Sequence, residues 1–259
     1  MAKNKDSLQN TIKVAFLVCL ACSIVVSFAA VSLKPIQKNN KVIDVKKNIL
    51  TAAGLLEEGR SIDEQFSVIS TKIVDLSNGK YSTAVDVDTY DQFKAAKDPK
   101  QSEKLASSDD IAGIKRLETY AKVYAVEENG QLETLILPIR GYGLWSTLYG
   151  FVALDKDLNT IKGLGFYQHA ETPGLGGEVD NPKWKGMWPG KKVFDESGAI
   201  VAGLKKGAIN PQSAFDQAHL VDGLSGATLT ARGVDNLIKF WMGDLGFGPF
   251  LANLKAGEV

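Results

Sequence analysis

Asp222-Gly223-Leu224-Ser225-Gly226-Ala227-Thr228 leads into an amphipathic helical pattern. Val234, Leu237, Ile238 and Trp241 follow at i, i+3, i+4 and i+7, one apolar face of a helix of about four turns. Ser225 has the side chain of an N-cap, so the helix is expected to start there, with Thr228 in its first turn. A first turn has N–H groups without intrahelical partners and a partial positive charge, a good seat for an anion. Gly226 and Ala227 keep the approach to Thr228 uncrowded. Thr230 is the next hydroxyl along.

A second stretch, His169-Ala170-Glu171-Thr172-Pro173-Gly174-Leu175-Gly176-Gly177-Glu178, lies about fifty residues upstream. Its run of small and rigid residues predicts a tight loop whose backbone can approach a flat ligand. Taken alone it reads as an ordinary Gly-rich turn after a strand.

Together the two stretches resemble a known family. Acid, two variable positions, Ser or Thr, Gly, Ala and Thr form the attachment signature of proteins carrying FMN as a phosphoester on a threonine. Every fixed position is filled here, by Asp222, Ser225, Gly226, Ala227 and Thr228. Glu171-Thr172-Pro173-Gly174-Leu175-Gly176 is similar to the loop that lies against the isoalloxazine ring in the same flavoproteins. The resemblance is closest to the C subunit of the bacterial sodium-translocating NADH:quinone oxidoreductase and extends over nearly the whole chain. The flavin-bearing G subunit of the Rnf electron-transport complex is a near relative.

The resemblance implies FMN covalently attached to Thr228 by a flavin transferase that takes it from FAD, with Asp222 and the small residues as the recognition sequence. It implies electron flow from an iron–sulfur centre to this FMN and on to the FMN of a neighbouring membrane subunit. Quinone reduction, ubiquinone being the expected acceptor, and sodium pumping then belong to the assembly. It also places the turn bearing Trp145 near the cofactor. Lys206 is a further candidate for pairing with flavin or phosphate charge, although most lysines are simply solvated.

Composition bounds the alternatives. The 259 residues form one or two domains, with 30 basic and 30 acidic side chains. That balance argues against nucleic acid as a partner. Residues 14–33 contain no charge and are bracketed by Lys13 and Lys34. Twenty helical residues span ~30 Å, the hydrocarbon thickness of a bilayer. The run exceeds a signal-peptide core, so an uncleaved anchor is expected over a cleaved leader, despite the small-x-small pattern at Ser27-Phe28-Ala29.

Lys3, Lys5, Lys13 and Asp6 precede the anchor; Lys34, Lys38, Lys41, Lys46 and Lys47 follow it. The basic count would put the C-terminal side in the cytoplasm. The resemblance implies a periplasmic domain on a single-pass inner-membrane protein, and that is the placement expected, since large C-terminal domains translocate despite flanking charge. Cys19 and Cys22 both fall in the anchor. They read as small residues at a helix–helix contact, with an iron–sulfur centre shared with other subunits as the alternative. Cys-free residues 34–259 rely on no disulfide.

The remaining pattern is α+β: one N-terminal transmembrane helix, then a mainly antiparallel sheet. Residues 1–13 are expected to form a cytoplasmic tail, 14–33 the membrane helix, 34–119 a linker and mixed α/β region, and 120–259 the FMN-binding domain. Val42, Val45, Ile49, Ala52, Ala53 and Leu56 share a helical face. Ser61-Ile62-Asp63-Glu64 predicts a capping box. Residues 81–87 alternate as a strand, and 89–115 are polar, a loop with a short helix in which Ser102 is expected to be exposed. Asn129-Gly130 predicts a hairpin between 120–126 and 132–139, continued by strands at 148–154 and 161–167. Residues 192–195, 200–204 and 219–223 are shorter strand candidates, and 243–249 are expected to close the last helix.

No P-loop, dinucleotide-binding glycine motif, Ser-His-Asp set or metal-ligand spacing is visible, and no NADH site is expected. Two other classes compete with the electron carrier. One is a non-redox anchored module binding periplasmic ligands; the other is a stand-alone flavin reductase.

Overall fold

The structure is a computed structural model and describes residues 7–259. Lys3, Lys5 and Asp6, part of the expected tail, lie outside the described residues. Two compact units divide between Asp44 and Val45.

The first unit, among described residues, is helix alone. Helix α1 (Leu8–Ala53) contains the charge-free run, whose side chains are unburied, and is long and apolar enough to cross a membrane. Pro35 lies inside it without ending it, so the expected linker begins as helix. Cys19 and Cys22 are exposed free thiols on this segment.

The second unit starts within the last turns of α1. Leu55 N–H donates to the Leu50 carbonyl and Gly54 N–H to that of Thr51, a double bond pattern that ends the helix. Helix α2 (Ile62–Phe66) starts where expected, but the capping box is not closed. The Ser61 hydroxyl makes no cap bond, and Glu64 pairs instead with Arg60 at 3.2 Å.

Strands β1 (Ile69–Asp75) and β2 (Lys80–Tyr81) follow. The strand expected over 81–87 is thus mostly absent. Asp86 accepts the N–H and hydroxyl of Thr89 at 2.9 and 2.8 Å, a local turn that competes with strand pairing. Helix α3 (Gln92–Ala95) is capped by Asp91. A small antiparallel pair joins β3 (Ser102–Lys104) to β4 (Arg116–Glu118). Ser102 is buried, against expectation, because its hydroxyl bridges the Asp98 carbonyl and the Arg116 guanidinium.

The central strands are β5 (Tyr120–Glu128), β6 (Gln131–Tyr142), β7 (Thr147–Asp155) and β8 (Ile161–Gln168). Asn129 and Gly130 both take positive φ, 53° and 77°, between β5 and β6. That is the two-residue turn the sequence predicts. The antiparallel sheet runs β2-β1-β5-β6-β7-β8. Strand β1 pairs with β5, so residues on both sides of position 120 share one sheet.

After β8 come a short 3-10 turn (Gly176–Asp180), α4 (Pro182–Lys185), β9 (Gly203–Lys205), α5 (Ala214–His219), β10 (Leu220–Asp222), α6 (Thr228–Met242) and α7 (Gly248–Ala256). Residues 192–195 make only isolated bridges, whereas β9 and β10 pair in parallel. Helix α6 ends at Met242, where residues 243–249 are expected to close it, and α7, not expected from the sequence, begins on the last two of those residues. Pro249 sits in its first turn, where a missing N–H costs nothing.

Period-two alternation assigns the two faces of the sheet. Leu135, Leu137 and Ile139 of β6 point into the main core with Val234, Leu237, Ile238 and Trp241 of α6. Ile136 of β6, with Phe151 and Ala153 of β7, meets Ile49, Leu50, Ala52 and Ala53 on the opposite face. Both faces of β6 are therefore covered. Leu50 is fully buried and Val42 is 50% exposed. Leu50→Ala should lower stability by about 2–5 kcal/mol, and Val42→Ala by no more than about 0.5 kcal/mol. Urea unfolding of the detergent-solubilised chain, followed by tryptophan fluorescence, measures both.

Candidate functional site

Three segments separated in sequence meet at the carboxylate of Glu171. The first is the β6–β7 turn, closed by Gly143 N–H donating to the Ser146 carbonyl at 2.8 Å. The N–H groups of Leu144, Trp145 and Ser146 donate to Glu171 Oε1 at 3.2, 3.0 and 3.2 Å. The second segment is the loop after β8 that carries Glu171. The third is the first turn of α6, where the Thr230 hydroxyl donates to Glu171 Oε2 at 2.6 Å.

Glu171 is only 5% exposed. Burial pushes its carboxyl up, but hydrogen bonds from Thr230, Trp145, Leu144 and Ser146 outweigh that effect and hold it below the ordinary glutamate value. A depressed folded value means stability present above the unfolded value and lost as pH falls through the folded one. His169 braces the same loop. Its Nδ1 accepts from Glu171 N–H at 3.1 Å, which leaves Nε2 to donate to Asp180 at 2.8 Å.

The Gly-rich loop is a compact turn around the Thr172 carbonyl, which accepts from Leu175 and Gly177 N–H at 3.1 and 2.9 Å. Gly174 has φ +76°, a conformation other residues rarely adopt. Gly176 serves packing instead: a Cβ there would lie 2.5 Å from Thr230 Oγ1 and 2.8 Å from Glu171 Oε2. The loop also touches the other motif, since a Cβ on Gly226 would fall 2.9 Å from Leu175 Cδ2.

The attachment stretch leaves β10 at Asp222. The Asp222 carboxylate accepts from Ile209 N–H, and Gly223 N–H donates to the Gly207 carbonyl, both at 2.8 Å. The exposed Lys206 is carried on the loop these bonds pin. Ser225 does not cap α6. Gly226, at φ +70°, turns the chain out of helical geometry between Ser225 and the helix. Ala227 is the cap residue, with no side-chain bond, and Thr228 is the first helical residue rather than the third. Ser225, Gly226 and Thr228 are exposed. Thr230 is completely buried and bonded to Glu171, so it offers no alternative hydroxyl to a modifying enzyme.

The sequence offers Thr230 only as the next hydroxyl after Thr228, although it falls four residues before Val234 on the buried face of α6. A polar group there needs a partner. Tyr142, Leu144, Trp145, Leu175 and Leu229 expose apolar surface on the segments that meet at Glu171. A helix N-terminus with an exposed hydroxyl, flanked by such side chains and a small-residue loop, fits a phosphorylated planar ligand. Trp145, Leu175 and Thr228 are brought together by these contacts; Lys206 stands on the adjacent pinned loop.

Residues 143–243 match the FMN-binding domain family. The C subunit of the Na(+)-translocating NADH-quinone reductase of Pseudomonas aeruginosa is 55% identical over 260 residues, 99% of each chain. The corresponding Vibrio alginolyticus protein is 44% identical over the full length of both. Among solved structures, Shewanella oneidensis NqrC has a TM-score of 0.75 at 36% identity, covering 82% of this chain and 97% of that one. The same reductase's C subunit from Parabacteroides distasonis has a TM-score of 0.64 at 27% identity, covering 85% and 96%.

Trp145 is 66% exposed, whereas Trp184, Trp188 and Trp241 are at most 5% exposed. Acrylamide should therefore quench essentially one tryptophan in the protein without cofactor. Trp145→Phe should abolish most of that quenching while leaving the unfolding free energy within about 0.5 kcal/mol of the parent, as measured by fluorescence titration and urea unfolding.

Proposed function

The chain belongs to the family formed by the C subunits of Na(+)-translocating NADH-quinone reductases, and from that premise we propose that it is a membrane-anchored flavoprotein carrying FMN on Thr228 through a phosphoester. The observation that carries the reading is the exposed Thr228 hydroxyl at the start of α6, beside the loop that touches Gly226. When bound, FMN supplies one- and two-electron transfer.

This chain's residues supply position and electrostatics. The first-turn N–H groups of α6 face the charge of a phosphodiester. Leu144, Trp145 and Leu175 offer apolar faces to the ring, and Gly174 and Gly176 keep the loop compact. Ser225, Gly226 and Thr228 are accessible to a flavin transferase acting on the folded domain. Asp222 contributes by pinning the loop of residues 206–209, an arrangement that presents the signature in a fixed shape.

In this reading residues 14–33 anchor the protein in the bacterial inner membrane, 1–13 stay in the cytoplasm, and 34–119 connect to an FMN-carrying part in 120–259 on the periplasmic side. The partners are the other subunits of a sodium-pumping NADH:quinone oxidoreductase, which provide the NADH and quinone sites. Covalent attachment suits a carrier outside the cytoplasm, where lost flavin is not replaced from the cytoplasmic pool. Tethering keeps donor and acceptor at high effective concentration.

Intact-mass measurement of the protein from its native membrane tests the reading: the chain should carry one FMN, and Thr228→Ala should lose it while remaining folded. Asp222→Asn keeps a hydrogen-bond acceptor for Ile209 N–H and should be flavinylated like the parent, whereas Asp222→Ala should not. Ser107 is exposed, and Ser107→Cys should react with an impermeant thiol reagent in intact spheroplasts. Labelling only after the inner membrane is broken would reverse the proposed orientation.

A further inference from the structure

We infer that Glu171 is a positioning residue, a clasp that fastens the turn bearing Trp145 to the helix bearing Thr228, and that it is not itself a ligand of the flavin. The inference rests on the FMN reading above.

A carboxylate offers about four acceptor positions. Oε1 takes the N–H groups of Leu144, Trp145 and Ser146, with the Ser146 hydroxyl at 3.5 Å. Oε2 takes the Thr230 hydroxyl at 2.6 Å and approaches Leu144 N–H at 3.3 Å. With 5% of the residue exposed, no acceptor position remains for a polar edge of the cofactor. The three turn N–H groups are likewise occupied, so recognition on this side falls to the faces of Leu144 and Trp145.

These contacts join residues 25 to 27 positions apart and, through Thr230, 59 positions apart. Nothing local in the sequence would hold Trp145 and Thr228 in register. Ser146 reinforces the join, its hydroxyl accepting from Ala170 N–H at 2.7 Å. Gly176 packs so closely on Glu171 and Thr230 that a side chain there would push them apart.

The test uses the full-length, flavinylated protein. Glu171→Ala should keep one FMN by mass. Its peptide spanning residues 143–146 should exchange amide hydrogens at least ~10-fold faster, the effect of losing buried hydrogen bonds. Flavin fluorescence anisotropy should fall. Glu171→Gln should restore both readouts, because an amide oxygen accepts the same three N–H groups and the Thr230 hydroxyl can accept from the amide nitrogen. Thr230→Val should leave the turn protected but lower the anisotropy, since only the link to α6 is cut.

Unchanged anisotropy in Glu171→Ala, despite an opened turn, would overturn the inference. So would a Glu171→Gln protein with a protected turn but an altered flavin spectrum, which would make the carboxylate a direct ligand. Should Glu171→Ala not fold, parental anisotropy in Thr230→Val overturns the link to α6. Absence of FMN from the parent protein sinks the functional reading instead, and amide exchange still decides whether the clasp exists.

Discussion

Helix α6 lies against the end of strand β6 because Gly233 brings no side chain to the contact. A Cβ at that position would collide with the Tyr142 carbonyl. Further along the helix, Trp241 Nε1 donates to the Arg140 carbonyl of the same strand at 2.7 Å. Two contacts, just over two turns apart, fix how far α6 slides along β6. The start of the helix then falls beside the turn that leaves the strand. Thr230 arrives at Glu171, and Thr228, two residues earlier, stays on the surface. A shift of one helical residue, ~1.5 Å, would be half a hydrogen-bond length and would undo this arrangement.

The same strand anchors a buried charge. Arg140 and Glu118 pair at 2.6 Å with side-chain exposures of 7% and 0%. A pair so enclosed adds little net stability over apolar packing, but removing one partner is costly. Its consequence is geometric: it ties the small β3–β4 pair to the strand on which α6 rests. Seating of α6 thus depends on residues far upstream of the flavin motifs, which is consistent with a compact unit that begins at Val45.

How much of this was legible in the sequence depends on range. The β5–β6 hairpin was readable because Asn129-Gly130 carries its own turn geometry. The apolar face of α6 was readable because four residues at helical spacing suffice. The helix start was misassigned because Ser225 looks like a cap, whereas the positive φ of Gly226 breaks the chain's approach one residue later. Strand β1 was missed because Ser70, Thr71 and Lys72 interrupt its apolar pattern, and its burial comes from β5 alongside. The two motifs were found by their residue types. The role of Glu171 was not, since its partners sit on a turn and a helix that only the tertiary fold brings together.

The unit from Val45 onward contains no cysteine, and its only sulfur is in Met187 and Met242. Met242 is buried, and Met187 is half-buried against the core. Reduced flavins react with dioxygen and release superoxide or peroxide. Thiolates and exposed thioethers are the first protein groups such oxidants attack. A flavin carried as proposed would expose its escaping oxidant to no thiol and no fully exposed thioether in this unit.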